Sequence, residues 1–157
     1  MRGQDDRLER SHTRLHRAWA RWSELDDLVW LGAPPGITHR VPIISFQIKG
    51  LDMGFVNTLL SDLFGIQVSS PLLLSLQGEG PLIRPPNQAR DGCFCAHPYI
   101  ADLLNMTDFQ SNAVRPLYID RKIYRQGATR VSFPWFMSEE DVTYVIEAVA
   151  WISEFGW

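Results

Sequence analysis

A ten-residue segment, residues 90–99 (RDGCFCAHPY), holds both cysteines of the chain together with an arginine and a histidine. Gly92 permits a sharp backbone bend, so the thiols of Cys93 and Cys95 are predicted to lie on a loop between two elements. A cationic Arg90 or a protonated His97 beside a thiol favours the thiolate form, which is the nucleophile. The segment therefore indicates either a reactive thiol or a pair of half-buried, reduced cysteines.

The side chains of Cys93, Cys95 and His97 are also an alternative set of metal ligands. The spacing C-x-C-x-H lacks a fourth ligand at the customary separation of a zinc site. Two cysteines one residue apart do not form a disulfide framework either. We therefore predict no metal site in this segment.

A second stretch with chemical potential is the segment 128–133, in which Arg130 and Ser132 alternate with Thr129, Val131 and Phe133. On a β-strand this alternation places Arg130 on the face opposite the apolar set. A guanidinium forms a planar, two-pronged contact with a carboxylate that a lysine imitates poorly. Arg130 is therefore a candidate ligand for a carboxylate, either of a substrate or of the same domain.

Together the two segments resemble the cysteine-bearing loop and the later arginine strand of the class V aminotransferase and cysteine desulfurase family, which are fold-type I pyridoxal-phosphate enzymes. The resemblance extends in weaker form from about Arg7 to the end of the chain, and it implies the small C-terminal domain of that family. It implies that Arg130 binds the α-carboxylate of an amino-acid substrate. Arg90 is a further candidate for substrate binding, and it belongs to the same loop as Cys93. It also implies that Cys95 is the nucleophile of the desulfurase branch. The residues expected to shape the loop are Gly92, Cys93 and His97.

The resemblance implies pyridoxal phosphate as the cofactor of the full-length family, and this chemistry needs a lysine, an acidic partner for the pyridine nitrogen and a phosphate cradle. The chain has only Lys49 and Lys122, and neither lies in anything resembling the family's Ser/His-Lys segment. We therefore expect the chain alone neither to hold the cofactor nor to turn over substrate. The expected partner is a missing large pyridoxal-phosphate-binding domain or a homologous subunit. The alternative is a non-catalytic partner domain that docks on a separate protein of that kind.

The composition fits one ordinary globular core, with 157 residues of which 45% are apolar and 21% are charged. A net charge of −3 argues against non-specific binding to nucleic acid. The polar residues 1–10 carry no secretory signal, and the longest apolar run, residues 71–76, is too short to cross a bilayer. A cytoplasmic protein that binds neither membrane nor nucleic acid is expected.

The order of predicted helices and strands indicates an α+β fold. A small mixed sheet of about three strands packs with helices, and a long helix precedes it at the N-terminus. Residues 1–30 are predicted to hold this linking helix, which carries a stripe of arginines, and residues 38–157 the small C-terminal domain. A strand over 41–48, a helix capped by Asp52 and ended by Gly65, and a second strand from Ile66 suggest a βαβ-type unit. The apolar residues predicted to share one face of this helix are Phe55, Leu59, Leu60 and Leu63.

The second half of the chain predicts two further helices. One covers residues 97–104, and the other begins at a Ser138 cap and ends at Gly156. Between them, residues 105–126 show no clear pattern, with Pro116 read as a breaker and residues 117–119 as extended. The core face of the last helix is predicted to consist of Val142, Val145, Ile146, Val149 and Ile152.

Residues 68–88 are rich in proline and glycine, and we predict a disordered or intron-like insert. A structureless stretch longer than about 15 residues is unusual inside a compact domain. Val68-Ser69 can be encoded by a splice donor, and the codon of Gln88 can end in the acceptor CAG. One hypothesis is a retained intron of 21 codons, counted from Val68 to Gln88 inclusive. The alternative is a family-specific surface loop.

Overall fold

The computed structural model describes residues 2–32, 41–66, 68–69, 88–92, 97–121 and 127–157. These ranges contain five helices and five strands, so the predicted α+β class is confirmed. None of the described helices is long and apolar enough to cross a membrane. In chain order the elements are α1 (Arg2–Trp22), β1 (Leu28–Leu31), β2 (Ile43–Ile48), α2 (Met53–Asp62), β3 (Val68–Ser69), β4 (Gln88–Gly92), α3 (His97–Leu103), α4 (Asp108–Arg121), β5 (Ala128–Ser132) and α5 (Glu139–Phe155).

The strands form one mixed sheet in the order β1-β2-β5-β4-β3. All neighbours are antiparallel except β3 and β4, which run parallel. The strands β2, β5 and β4 are the three-stranded antiparallel centre, and the short strands β1 and β3 extend it at the two edges. Because β2 and β3 run in the same direction and α2 connects them, the predicted strand-helix-strand unit is present, with β5 and β4 inserted between its strands.

One hydrophobic core joins α1, α2 and α5 to one face of the sheet. Its largest fully buried side chains include Trp22 of α1, Phe46 of β2 and Phe133, which follows β5. The indole N–H of Trp22 donates to the carbonyl of Ile146 at 3.0 Å, so the largest core residue also has its polar atom satisfied. All five residues predicted for the core face of α5 are buried, which confirms that prediction.

The N-terminal helix is shorter than the predicted span, because α1 ends at Trp22 and the next regular element is a strand. The sequence continues the helical spacing through Leu25 and Leu28, but residues 28–31 pair with β2 instead. Leu28 and Leu31 are buried at this edge of the sheet. A backbone ladder with a strand further along the chain therefore outweighs the local helical pattern.

Three arginines of the stripe on α1 contact α5 or the turn that precedes it, namely Arg14, Arg17 and Arg21. The guanidinium of Arg14 is 3% exposed, and it donates to the carbonyls of Pro134 and Met137, both at 2.7 Å, and to the carboxylate of Glu139. A hydrogen bond to Glu154 raises the pKa of Arg21, with burial acting in the opposite direction and Glu147 raising it further. Further ion pairs between α1 and α5 are Arg17–Glu139, Arg21–Glu147 and Arg21–Glu154.

Helix α2 has the predicted caps and half of the predicted apolar face, since Leu60 is buried and Leu59 packs against the core. The carboxylate of Asp52 accepts from the N–H groups of Gly54 and Phe55, and Gly65 has a φ of 62°, the left-handed conformation expected of it. Phe55 and Leu63, predicted to face the core, are 47% and 58% exposed. The prediction was wrong for these two residues because the sheet covers the neighbouring stripe of the helix. The buried residues of α2 are Met53, Val56, Asn57 and Leu60.

Helix α4 was not predicted, because Pro116 was read as a breaker and residues 117–119 as extended. All of them lie inside the helix. The missed signal is a capping box, in which Thr107 N donates to Gln110 Oε1 at 2.9 Å and Gln110 N donates to Thr107 Oγ1 at 3.2 Å. The preceding helix, α3, agrees with the predicted 97–104 to one residue, and Ile100 is its buried side chain.

Both ends of the stretch predicted to be an insert belong to the sheet. Val68 and Ser69 form β3, and Gln88 is the first residue of β4. The register pairs Val68 with Ala89 and Ser69 with Arg90. Residues 70–87 lie outside the described residues.

Candidate functional site

Arg130 is the middle residue of β5, the central strand of the sheet. Its neighbours Thr129 and Val131 are buried on the face that the helices cover, and Arg130 and Ser132 are half-buried on the other. The alternation predicted for this strand is therefore confirmed. Arg130 also has an interaction partner within the chain.

One row of register partners crosses all five strands through Arg130. Leu31 pairs with Ser45, Ser45 with Arg130, Arg130 with Arg90, and Arg90 with Ser69. Residues that pair in register belong to the same face of a sheet. We call these five positions the arginine row, in which two arginines are neighbours and a serine lies next to each.

The face that carries the arginine row has no acidic residue in its three central strands. Asp91 pairs with Thr129 and so belongs to the helix-covered face. The register and the strand alternation therefore place two arginines at neighbouring positions of this face. The positions on this face are Ile43, Ser45, Gln47, Gln88, Arg90, Gly92, Ala128, Arg130 and Ser132.

A glutamine on the same face holds the start of β5. The side-chain amide of Gln47 donates from Nε2 to the carbonyl of Gly127 at 2.7 Å. This bond joins β2 to the residue that precedes β5, three positions before Arg130. A side-chain bond therefore fixes the start of β5 to β2 in addition to the backbone ladder.

The thiol segment begins where β4 ends. Gly92 is the last residue of β4 and pairs with Ala128. It lies two residues from Arg90 along the strand, which is about 7 Å. Arg90 and Gly92 are therefore strand residues, whereas the sequence placed them with the loop. The backbones of Arg90 and Gly92 pair with β5. The predicted loop did not include this strand pairing.

The structure thus brings two of the predicted site residues, Arg90 and Arg130, to neighbouring positions. Cys93 and Cys95 lie outside the described residues, and His97 is the first residue of α3. The sequence analysis missed Ser45. Its signal was the polar position inside the strand IISFQI, where Ser45 and Gln47 alternate with three buried apolar side chains.

Comparisons with known proteins support the fold. No protein-family model matches the chain, and no curated protein matches it. Among solved structures, the apo cysteine desulfurase from Thermococcus onnurineus NA1 is similar, with a TM-score of 0.60 and 21% sequence identity over 95% of this chain. The match covers 26% of that protein, so this chain spans about a quarter of its length. At this level of identity the likeness shows a related fold.

Proposed function

We propose that the chain is the small C-terminal domain of a class V aminotransferase or cysteine desulfurase-like enzyme that depends on pyridoxal phosphate. The observation that carries the proposal is the register pairing of Arg130 with Arg90, within a fold similar to a cysteine desulfurase. In this proposal Arg130 binds the α-carboxylate of an amino-acid substrate through two parallel N–H···O bonds. Arg90 is the second cation at the same site.

The thiol segment supplies the proposed nucleophile, Cys95. It follows Gly92 by three residues, and Gly92 lies two residues from Arg90. The proposal therefore gives the segment between β4 and α3 two tasks. In the desulfurase branch of the proposal, the thiolate of Cys95 would attack the sulfur of a bound cysteine substrate, so that an S–S bond forms as the C–S bond breaks and its electron pair stays with the remaining substrate fragment. The residues Gly92, Cys93 and His97 set the path of the backbone.

The described residues do not fit the cofactor's own lysine site. The ammonium of Lys49 donates to the carbonyl of Asp26 at 2.7 Å, in an exposed position at the end of β2. Lys122 lies outside the described residues. We therefore propose that a further domain or a homologous subunit holds pyridoxal phosphate, that this chain is inactive alone, and that the assembly works in the cytoplasm.

The gene offers a direct test. The genomic sequence upstream of Met1 is expected to encode a segment with the family's Ser/His-Lys pattern, in frame with this chain. An unrelated neighbouring gene or intergenic sequence there would contradict a single-chain enzyme. Incubation of the purified chain with pyridoxal phosphate and borohydride is expected to leave no adduct at one defined lysine.

Ligand binding tests the role of Arg130 in the chain itself. Butyrate, a simple monocarboxylate, is expected to bind the wild type, and Arg130→Gln should weaken that binding about tenfold because a charge-assisted contact is lost. The matched control is Arg10→Gln, since Arg10 is exposed on α1, away from the sheet. Equal affinities of wild type and Arg130→Gln would contradict the proposed carboxylate site.

A second candidate function is a non-catalytic partner domain, and two exposed aromatic side chains favour it. Trp135 and Phe136 follow β5 and are 51% and 59% exposed. Their rings pack edge to face, with 5.7 Å between the ring centroids. Large exposed aromatic pairs are typical of protein interfaces. Under this reading a separate pyridoxal-phosphate protein would bind the chain, and Trp135→Ser would weaken that complex without changing butyrate binding.

A further inference from the structure

We infer that the outer surface of α5 and the end of α2 bind a basic amphipathic helix of a partner protein. The surface is formed by four aromatic side chains in contact, Phe64, Tyr144, Trp151 and Phe155, which we call the aromatic strip. The ring centroid of Phe64 lies 6.2 Å from that of Tyr144 and 5.6 Å from that of Trp151. The centroids of Trp151 and Phe155 are 5.5 Å apart. The inference does not depend on Arg130, because α2 and α5 cover the opposite face of the sheet.

Three of the four rings are exposed, although the rest of α5 packs against the core. Tyr144, Trp151 and Phe155 are 49%, 43% and 61% exposed. The hydroxyl of Tyr144 donates to the carbonyl of Phe64 at 2.9 Å, so this ring is held in place before a partner binds and loses little freedom on binding. Exposed aromatic side chains in mutual contact are typical of protein-binding surfaces. The aromatic strip is therefore a preformed apolar surface.

The charge around the aromatic strip selects the kind of partner. Residues 50–66 and 131–157 contain seven acidic side chains and no lysine or arginine. Three of these carboxylates lie on the side of α5 that faces α1 and are paired with arginines of that helix. Glu140, one turn before Tyr144, and Asp62, two residues before Phe64, have no ion pair in the part of the chain that the structure describes. Lysine and arginine side chains are attracted by such carboxylates and by the faces of aromatic rings.

The shape of the aromatic strip selects a helix as the partner element. Tyr144 and Phe155 are 11 positions apart on α5, which corresponds to about 16 Å or about three helical turns. Helices satisfy their own backbone groups, so this surface offers no strand edge to which an extended peptide could add. A helix with apolar side chains on one face lies along such a strip and keeps its own backbone satisfied. Nucleic acid and anionic membranes are disfavoured, because they would bring negative charge next to Glu140 and Asp62.

The test uses the full chain and a fluorescent synthetic helix of about 14 leucine and lysine residues, which spans about four turns. The matched probe has glutamate in place of each lysine and the same apolar face. Fluorescence anisotropy is expected to show that the lysine peptide binds at least about tenfold more tightly than the glutamate peptide. Trp151→Ser and Phe155→Ser should each weaken binding of the lysine peptide about tenfold, because an exposed aromatic anchor is lost. The control is Phe109→Ser, which removes an 81% exposed ring on α4 and should retain full affinity.

A second pair of variants tests the charge argument. Asp62→Asn combined with Glu140→Gln should weaken binding of the lysine peptide about fivefold at low salt, because two solvent-exposed charge contacts are lost. The difference from the wild type should shrink as salt is added. The charge-matched control is Asp6→Asn combined with Glu9→Gln, since both residues are exposed on α1. This control should retain the affinity of the wild type.

Four results would overturn the inference. Equal affinities for the lysine and glutamate peptides would exclude a basic partner, and full affinity in both Trp151→Ser and Phe155→Ser would exclude the aromatic strip as the site. A dimer in sedimentation velocity that Trp151→Ser abolishes would assign the strip to a second copy of the chain. Binding to phosphatidylcholine vesicles that requires Trp151 would assign it to a membrane.

Two measurements keep these results separate from folding and from the proposed function. Circular dichroism establishes that each variant is folded, and Phe155→Ser serves in place of Trp151→Ser if the latter is not. Butyrate binding through Arg130 should be the same in Trp151→Ser as in the wild type, because the aromatic strip lies on the other side of the sheet. A failure of the aromatic strip therefore leaves the proposed carboxylate site intact.

Discussion

Arg14 and Glu139 are 125 positions apart in the chain, yet the guanidinium of Arg14 donates to one carboxylate oxygen of Glu139 from Nε at 2.9 Å and from Nη2 at 2.7 Å. The same guanidinium donates to the carbonyls of Pro134 and Met137. Arg14 therefore holds the turn between β5 and α5 against α1. This turn follows the strand that carries Arg130, so α1 supports the candidate site from the opposite side of the sheet.

Arg14→Met is expected to lower the free energy of unfolding by about 3 kcal/mol, because two carbonyls of the turn lose their donor. Urea unfolding measures the loss. The control is Arg17→Met, which removes a neighbouring partner of Glu139 that is 39% exposed and should cost less than about 1 kcal/mol. Equal losses in the two variants would show that burial does not decide the strength of this contact.

Asn57→Leu is expected to stabilise the chain by about 1 kcal/mol. Asn57 is 3% exposed, and neither its Oδ1 nor its Nδ2 has a hydrogen-bond partner in the part of the chain that the structure describes. An apolar side chain of similar size removes the cost of burying an amide without a partner. Thermal unfolding should show a higher midpoint for Asn57→Leu and a lower one for Asn57→Asp. A loss of stability in Asn57→Leu would indicate that the amide is hydrated.

Ser138→Ala is expected to cost about 1 kcal/mol, because the Ser138 hydroxyl accepts from the N–H of Asp141 at 3.0 Å and caps α5. Ser138→Asp keeps an acceptor at this position and should retain most of the stability. Denaturant midpoints of the two variants give the comparison. A Ser138→Ala variant as stable as the wild type would contradict the capping role.

Gly50→Ala and Gly65→Ala separate backbone strain from steric contact. Both glycines have positive φ, 78° and 62°, so each substitution should cost about 1 kcal/mol. A methyl group at position 50 would also meet the ring of Trp157, whereas nothing lies within 4 Å of the corresponding point at Gly65. Gly50→Ala should therefore change the tryptophan fluorescence and Gly65→Ala should not. Unchanged fluorescence in Gly50→Ala would contradict the contact with Trp157.

The intron hypothesis predicts transcripts in which Gln67 is joined to Ala89. Such splicing would remove β3 and Gln88, the first residue of β4, and the spliced chain would still contain Arg90 and Arg130. Sequencing cDNA from the source organism measures the two forms. A population in which residues 68–88 are always encoded would exclude the intron and favour the surface loop.

Local patterns in the sequence determined the features that depend on residues within one helical turn or one strand. The cap residues Asp52 and Ser138, the left-handed Gly65 and the core face of α5 were all predictable, because each depends on neighbours up to four positions away. The alternation that places Arg130 on the opposite face of β5 from Thr129 and Val131 also depends only on neighbouring residues.

The tertiary structure alone decided the features that depend on distant partners. Residues 28–31 form a strand because β2 is available to pair with them, and Arg14 is buried because Pro134, Met137 and Glu139 surround it. The register that places Arg90 opposite Arg130 joins residues 40 positions apart, and a shift of one residue would move Arg90 to the other face. The sequence supplied both arginines, and the pairing of β4 with β5 made them neighbours.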